Sequence, residues 1–430
     1  MEGLFPTFIC ILSNLKNLDL SQNNLTGVIP SCVSNLKSLS NLDVSNNNFH
    51  GPLPLIPKNV LSFLDLSNNK LRGKNSIEMG KILSSIDTIV LSDNELSGPI
   101  PFSMCSKVNR IIDLSNNKLS GIIPTSIGYC TKLLSLNFGH NNLTGNVPDV
   151  LGQALSLTFL QLNDNNLDGV PLGFISKFQR LEVLNLAKNK FEGSIPTAFG
   201  SLEYLQILSL RFNKFNGSIP EEITHLQPLQ ILDISHNHLT GLIPKKIGNL
   251  TRLISRPEGT QPLLNYGAGD LKLQMVIKGI VTQLLKVFHY TSGVDLSCNT
   301  FSGNIPEEIG LLKALSTLNL SHNQLSGIIP QECRKYERIP KGLHFDTLSG
   351  DGSAYINNSL LCGDFTNNTC EGDKRSNSTD NNSPNEGYED DQNDAKDKLL
   401  LYAIVALGFA VGFWGLFFVL LIKKEKWWFG

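Results

Sequence analysis

Side chains able to do chemistry recur in this chain at one constant interval. His140, Asp164, Lys188 and Phe212 follow one another at equal spacing, and Gly139, Asn163, Ala187 and Arg211 precede them in the same rhythm. An imidazole, a carboxylate, an ammonium and an aromatic ring in one column suit recognition of a ligand of mixed charge. Catalysis would require a nucleophile and a base held at hydrogen-bond distance, and no such arrangement stands out. His140, His236, His238 and His322 all fall in or beside one repeated Ser-His-Asn position. They read as products of that repeat rather than as catalytic or metal-binding groups. No CxxC, no Cys/His cluster and no glycine-rich nucleotide loop occurs, so the reading contains no enzyme, no cofactor and no metal.

The element that must position these columns is a repeat. Lys and Arg number 36 against 38 Asp and Glu, a formal charge of -2, and charged residues make up 17% of the 430. A near-neutral chain without a basic block is not a nucleic-acid binder. In Leu15-Lys-Asn-Leu18-Asp-Leu20-Ser-Gln-Asn23-Asn-Leu25-Thr-Gly27-Val-Ile29-Pro30, the second leucine recurs at Leu42, Leu64, Ile89, Ile112, Leu136, Leu160, Leu184, Leu208 and Leu232, and after a longer gap at Val294 and Leu318. These twelve copies are numbered here as coils one to twelve. The alternation at Leu18 and Leu20 gives a short strand with Asp19 turned outward. The asparagine (Asn23, Asn47, Asn69 and onward) suits a turn in which its amide serves the backbone of the neighbouring coil. Gly27 permits a positive φ, and Pro30 fixes φ where the chain swings back. Each coil buries its leucines only against the next. Strands about 4.8 Å apart give a parallel sheet on the order of 55 Å long.

The pattern LxxLxLxxNxLxGxIP resembles the leucine-rich repeat in its plant extracellular variety. The expected fold is therefore an α/β solenoid of that type, a superhelix with a parallel β-sheet on the concave face, plus one C-terminal transmembrane helix. The step from Leu232 to Val294 is far longer than one repeat. The insert covers 254–290, loop-like at first and then strand-like from Leu271 to Gly279. One such island containing Lys278-Gly279, followed by GVDLSCNTFSGNIP, Arg338-Ile-Pro-Lys-Gly342 and Asn358-Ser-Leu-Leu-Cys-Gly363, closely resembles the plant leucine-rich-repeat receptor-like proteins, which lack a kinase. The resemblance implies that the island and the concave face contact ligands or co-receptors. It also implies a signal peptide and a capped first coil, neither of which is visible; the chain reads as starting in mid-repeat and as N-terminally truncated.

The expected organisation is repeats over 1–253, the island over 254–290, repeats over 291–330, a shortened joint and cap over 331–372, an acidic segment over 373–398, a membrane helix over 399–422 and a cytosolic tail over 423–430. A Cys362–Cys370 disulfide would pin the cap and contribute roughly 2–3 kcal/mol. Pairing of Cys105 with Cys130 stays open, and Cys10, Cys32, Cys298 and Cys333 read as buried or loop thiols. Glycosylation acceptors stand at Asn24, Asn142, Asn216, Asn249, Asn319, Asn357, Asn367, Asn377 and Asn381, which with the cap pair favour an oxidising exterior.

The stretch from Leu399 to Ile422 carries no charge. As a helix it measures about 36 Å, enough to cross a roughly 30 Å hydrocarbon core. Lys423, Lys424 and Lys426 follow it and Asp or Glu residues precede it, so the repeats face outward and the tail the cytosol, a single-pass type I plasma-membrane protein. Gly408, Gly412 and Gly415 form a flat stripe suited to helix packing. The short tail from Lys423 to Gly430 holds no enzyme, so the expected function is a non-catalytic surface receptor. It would bind an extracellular peptide, glycan or protein ligand and signal through a membrane-spanning receptor kinase, in defence or development. The ligand patch falls on coils six to nine, at His140, Asn163, Asp164, Lys188, Arg211 and Phe212. The competing readings are a soluble enzyme-inhibitor repeat protein and a nonfunctional receptor fragment.

Overall fold

The computed structural model describes residues 1–57, 61–73, 80, 82, 84–105, 109–170, 175–255, 274–277, 280–283, 292–330, 355–362 and 368, all inside the compact unit Met1–Gly372. The acidic segment 373–398, the expected membrane helix 399–422 and the tail 423–430 lie outside the described residues. Among those described, no helix is long and apolar enough to cross a membrane.

The second leucine of each coil sits at the centre of a short strand, from Asn17–Asp19 in coil one to Thr317–Asn319 in coil twelve. The twelve strands pair in parallel and in chain order. Leucine lies opposite leucine, Leu18 against Leu42 and Leu184 against Leu208. The island does not interrupt this sheet. Ile231–Asp233 pairs directly with Gly293–Asp295, placing Leu232 opposite Val294. Of the island itself, Gln274–Ile277 pairs antiparallel with Ile280–Gln283, and Lys278 and Gly279 lie outside the described residues.

Sequence reading missed a second sheet. The NxLxG segment, taken as turn, is extended: Asn24–Gly27 and its counterparts pair in parallel, eight strands from Glu2–Leu4 to Asn166–Asp168 and six from Glu192–Ser194 to Leu360–Cys362. Backbone bonds Lys190 N–Leu167 O at 2.7 Å and Glu192 N–Gly169 O at 3.0 Å link the two groups. Gly27 closes its strand at φ 85°, and a Cβ there would meet Leu4 Cδ2 at 2.7 Å. The positive φ is what favours glycine there, since the exposed Leu4 side chain can move aside.

The helical layer needs correction. Behind each proline the chain makes a short 3-10 turn, such as Ser31–Asn35 after Pro30 and Thr125–Tyr129 after Pro124. Among the described residues, α-helix is confined to Thr251–Ile254 and positions 80 and 82. Two α-helices need about 8–10 Å between their axes, roughly twice the step between strands, whereas a thin 3-10 turn fits.

Between these layers runs one continuous apolar cluster. Its leucine columns are widened by fully buried Phe49, Phe138, Phe191, Phe215 and Phe301. The polar seam beside it is an asparagine ladder. Asn47 Nδ2 donates to Leu20 O of the preceding coil at 2.9 Å and to Val44 O of its own at 3.2 Å, while Leu25 N–H donates to Asn47 Oδ1 at 3.0 Å. The ladder continues past coil twelve. Asn358 Nδ2 donates to Leu320 O, and Leu325 N–H donates to Asn358 Oδ1, both at 3.0 Å. The segment Tyr355 to Cys362, expected to be cap only, thus supplies one more rung.

Candidate ligand-binding face

The residue three places after the end of each strand in the twelve-stranded sheet lies in the left-handed region. His140, Asp164, Lys188, Phe212 and His236 all have φ between 51° and 54°. The conformation is ordinary for Asn, Asp or His and costs a larger side chain about 1 kcal/mol or more. Strand pairing then stacks these residues coil on coil.

The six expected patch residues form two groups. In the first, Asp164 sits between His140, with Nδ1 at 3.4 Å from Oδ2, and Lys188, with Nζ at 3.1 Å from Oδ1. Asn163 Nδ2 lies 3.1 Å from His140 Nε2. These side chains are partly exposed, so the pairs orient one another and contribute at most about 1 kcal/mol. In the second, the Arg211 guanidinium lies 3.6 Å from Asp233 Oδ2 and 4.9 Å from the centre of the Phe212 ring. The Phe212 ring stacks on His236 at 3.9 Å and 10°. Burial first, and the Arg211 charge second, push the His236 pKa down, so its ring is neutral at about pH 7 and stacks as an aromatic. Arg211 and Asp233 side chains are 11% and 10% exposed. Burial raises the Asp233 pKa to about 6, Asp295 pushes in the same direction, and Arg211 and Ser235 oppose.

Asp233 and His236 were not among the expected residues. His236 continues the Phe212 column by one coil, but in a Ser-His-Asn triplet it reads as consensus. Also missed was an apolar band on the same sheet face. Ile111, Phe159, Val183, Ile207 and Ile231 occupy the first strand position and are buried, yet they stand apart from the leucine cluster. The signal was present as an extra apolar residue before the leucine, in IIDL, FLQL and ILSL.

Coils one to seven carry a groove of about 360 Å³ on this face, lined by Asp43, Asp65, Asp93, Asp113, Phe63 and Gln161 among others, with no Lys or Arg among the described residues. Among the described residues no group of three or more His, Cys, Asp or Glu is arranged to hold a metal.

The cysteines correct the sequence reading in one place. Cys10 and Cys32, expected to be thiols, are joined as a disulfide, and Cys105 pairs with Cys130. In both cases the stacking of adjacent coils brings together residues 22 and 25 apart. Cys362 is disulfide-bonded; its expected partner Cys370 and Cys333 lie outside the described residues. Cys298 has no disulfide partner among the described residues, and burial raises its thiol pKa. Of the glycosylation acceptors, Asn24, Asn142, Asn216, Asn249 and Asn357 are exposed. Asn319 is half-buried on its strand and donates to Asp295 Oδ2 at 3.2 Å. Asn367, Asn377 and Asn381, and Gly408, Gly412 and Gly415, lie outside the described residues.

Leucine rich repeat family models match residues 3–49, 110–167, 155–215, 228–250 and 314–336. Receptor-like protein 34 of Arabidopsis thaliana is 43% identical over 60 residues, and Receptor-like protein 30 is 44% identical over 46; these segments are 13% and 11% of this chain and 6% of each relative. Among solved structures, that of PEPR1–AtPEP1 has a TM-score of 0.63 at 28% identity, covering 84% of this chain and 47% of the other. The plant peptide hormone receptor RGFR1 in complex with RGF2 gives 0.61 at 30%, covering 78% and 52%. The Arabidopsis receptor kinase HAESA in complex with the peptide hormone IDA and the co-receptor SERK1 gives 0.56 at 28%, covering 85% and 65%. The chain spans about half the length of the first two.

Proposed function

From the premise that this chain is a plant leucine-rich-repeat receptor-like protein, we propose that it recognises an extracellular peptide on the coil six-to-nine face and signals through a membrane receptor kinase. The observation that carries this reading is the Arg211–Phe212–His236 stack. A phenylalanine in a left-handed position, where asparagine or aspartate sits in several other coils, is strained for no gain in the core. Held against a guanidinium and a neutral imidazole, it is an aromatic anchor beside a buried ion pair, the combination that concentrates binding energy. Asp164, held by His140 and Lys188, adds a polar rim. The similar receptors bound to a peptide hormone, and in one case to a co-receptor, favour a peptide over a glycan. Leu399–Ile422 would anchor the chain with its repeats outside, and the similar HAESA complex with its co-receptor SERK1 supports relay through a partner kinase.

The test is a random dodecapeptide library panned against the full chain, with the selected peptides measured on the Lys188→Ala/Arg211→Ala/Phe212→Ala variant. Affinity falls at least tenfold on this reading; unchanged affinity removes the patch. Topology is checked separately by sequon occupancy and membrane fractionation. Unglycosylated acceptors together with repeats facing the cytosol would end the surface-receptor assignment.

A further inference from the structure

The groove over coils one to seven lies beside this patch and has a different chemistry. Asp43 and Asp65 close their strands, Asp93 comes from the left-handed position of coil four, and Asp113 closes the strand of coil five. Among the described residues no Lys or Arg lines the groove, and His140 is the one potential cation there. A cleft walled by one sign of charge concentrates ligands of the other sign. Its floor carries the half-buried Phe63 and Val90.

A second observation points to a ligand independently of charge. Gln161 lines the same groove, is 1% exposed, and its Nε2 has no hydrogen-bond partner among the described residues. A buried amide donor left unpaired costs about 1–3 kcal/mol, a cost that an incoming acceptor removes. Peptide carbonyls are such acceptors; polyamines and metal ions offer none. From the strand of Asp43 to that of Gln161 there are five steps of about 4.8 Å, or about 24 Å, the length of roughly seven extended residues at about 3.4 Å each.

Resting on the reading of this sheet face as a ligand surface, we infer that the groove binds an extended cationic peptide segment of roughly seven residues. Its basic side chains lie over Asp43, Asp65, Asp93 and Asp113, and a main-chain carbonyl accepts from Gln161 Nε2. The burial that raises the Asp113 pKa to about 6 is offset when a cation arrives, so binding releases a proton near that pH.

The probes are a blocked heptapeptide of alternating lysine and serine, its glutamate–serine counterpart, and spermine, which carries the same charge without carbonyls. Each is titrated into the full chain at low and at moderate salt. The lysine–serine peptide should bind at least tenfold tighter than either control and weaken with salt. Asp43→Asn/Asp65→Asn/Asp93→Asn should lower its affinity at least tenfold, and Gln161→Met at least threefold. Those aspartate changes keep the fold, since asparagine already stands at the position of Asp93 in Asn46, Asn68 and Asn116, and Asn137 and Asn319 do the work of Asp43 and Asp65 in their own coils. Their Oδ1 atoms accept from Gly139 N–H at 3.1 Å and Ser321 N–H at 3.2 Å, and an unchanged melting curve confirms it. Spermine binding as tightly as the peptide, or an aspartate variant that binds as wild type does, overturns the inference. So does a wild-type chain that ignores the lysine–serine probe while still binding panned peptides through Arg211 and Phe212, and in that case the receptor reading stands. Failure of that reading is separate: the panned peptides would then be indifferent to Lys188, Arg211 and Phe212.

Discussion

Asn237 shows how much one side chain holds in this molecule. Its Nδ2 donates to Leu210 O, Ile234 O and Ser235 O, each at 3.1 Å, and its Oδ1 accepts from Phe215 N–H at 3.0 Å. Water has little access to replace them, because Asn237 is 6% exposed. Asn237→Ala should therefore cost about 3 kcal/mol, measured by urea unfolding, from stranding several buried polar groups at once. Loss of less than about 1 kcal/mol would mean that the ladder is not a main source of stability. The acids behave oppositely to ordinary surface carboxylates. Burial raises Asp233 and Asp113 to about 6 and Glu182 to about 7. A folded-state pKa above the unfolded value means that the native form holds the proton more tightly. These groups stabilise most below about pH 4 and lose that contribution as pH rises through about 6 to 7. The melting temperature should thus be higher at about pH 5 than at about pH 7.5, and Asp233→Asn should flatten the difference. An unchanged slope in that variant would exclude Asp233 as a source.

Coil-to-coil contacts set what each element tolerates. Gly200, in the 3-10 turn Thr197–Ser201, packs so closely on the next turn that a Cβ would lie 2.3 Å from Glu222 O. Backbone cannot step aside as a side chain can. Gly200→Ala should cost about 1–3 kcal/mol by overpacking and lower the thermal midpoint; a neutral result would show that adjacent turns slide freely. The same stacking explains the disulfides. A separation of 22 or 25 residues is one turn of the solenoid, so the cysteines meet only because the coils are in register. Sequence spacing left Cys105 and Cys130 undecided for that reason, and it misjudged Cys10 and Cys32.

At the scale of the whole molecule the solenoid is indifferent to its island. The coils on either side pair as any two neighbours do, with Gln230 O accepting from Gly293 N–H at 2.9 Å and Leu253 O from Ala314 N–H at 2.8 Å. Removing residues 254–291 restores the regular repeat interval. The shortened chain should unfold within a few degrees of the parent, by calorimetry, since stability is summed over neighbouring coils. A collapse of the transition would show that the island carries part of the core. Whether ligand affinity survives the same deletion reports separately on the part that Lys278 and Gly279 play in recognition.

The sequence by itself determined the repeat, its register and its polarity. A near-constant period with leucines at fixed offsets leaves a chain one way to bury them, coil on coil, and each asparagine and glycine is specified by its own turn. The columns of His140, Asp164, Lys188 and Phe212 could be read for the same reason, because a constant period converts sequence spacing into spatial adjacency. Contacts that depend on three-dimensional distance across coils were decided only by the tertiary structure. Strand pairing turned NxLxG segments into a second sheet, since parallel partners one coil away satisfy a backbone that looks like turn in isolation. The narrow step between coils selected 3-10 turns over α-helices. Asp233 met Arg211, and the His236 ring came to lie flat on Phe212, through rotamers that no spacing specifies, and Gln161 was left without a partner for its donor among the described residues by the particular neighbours packed around it.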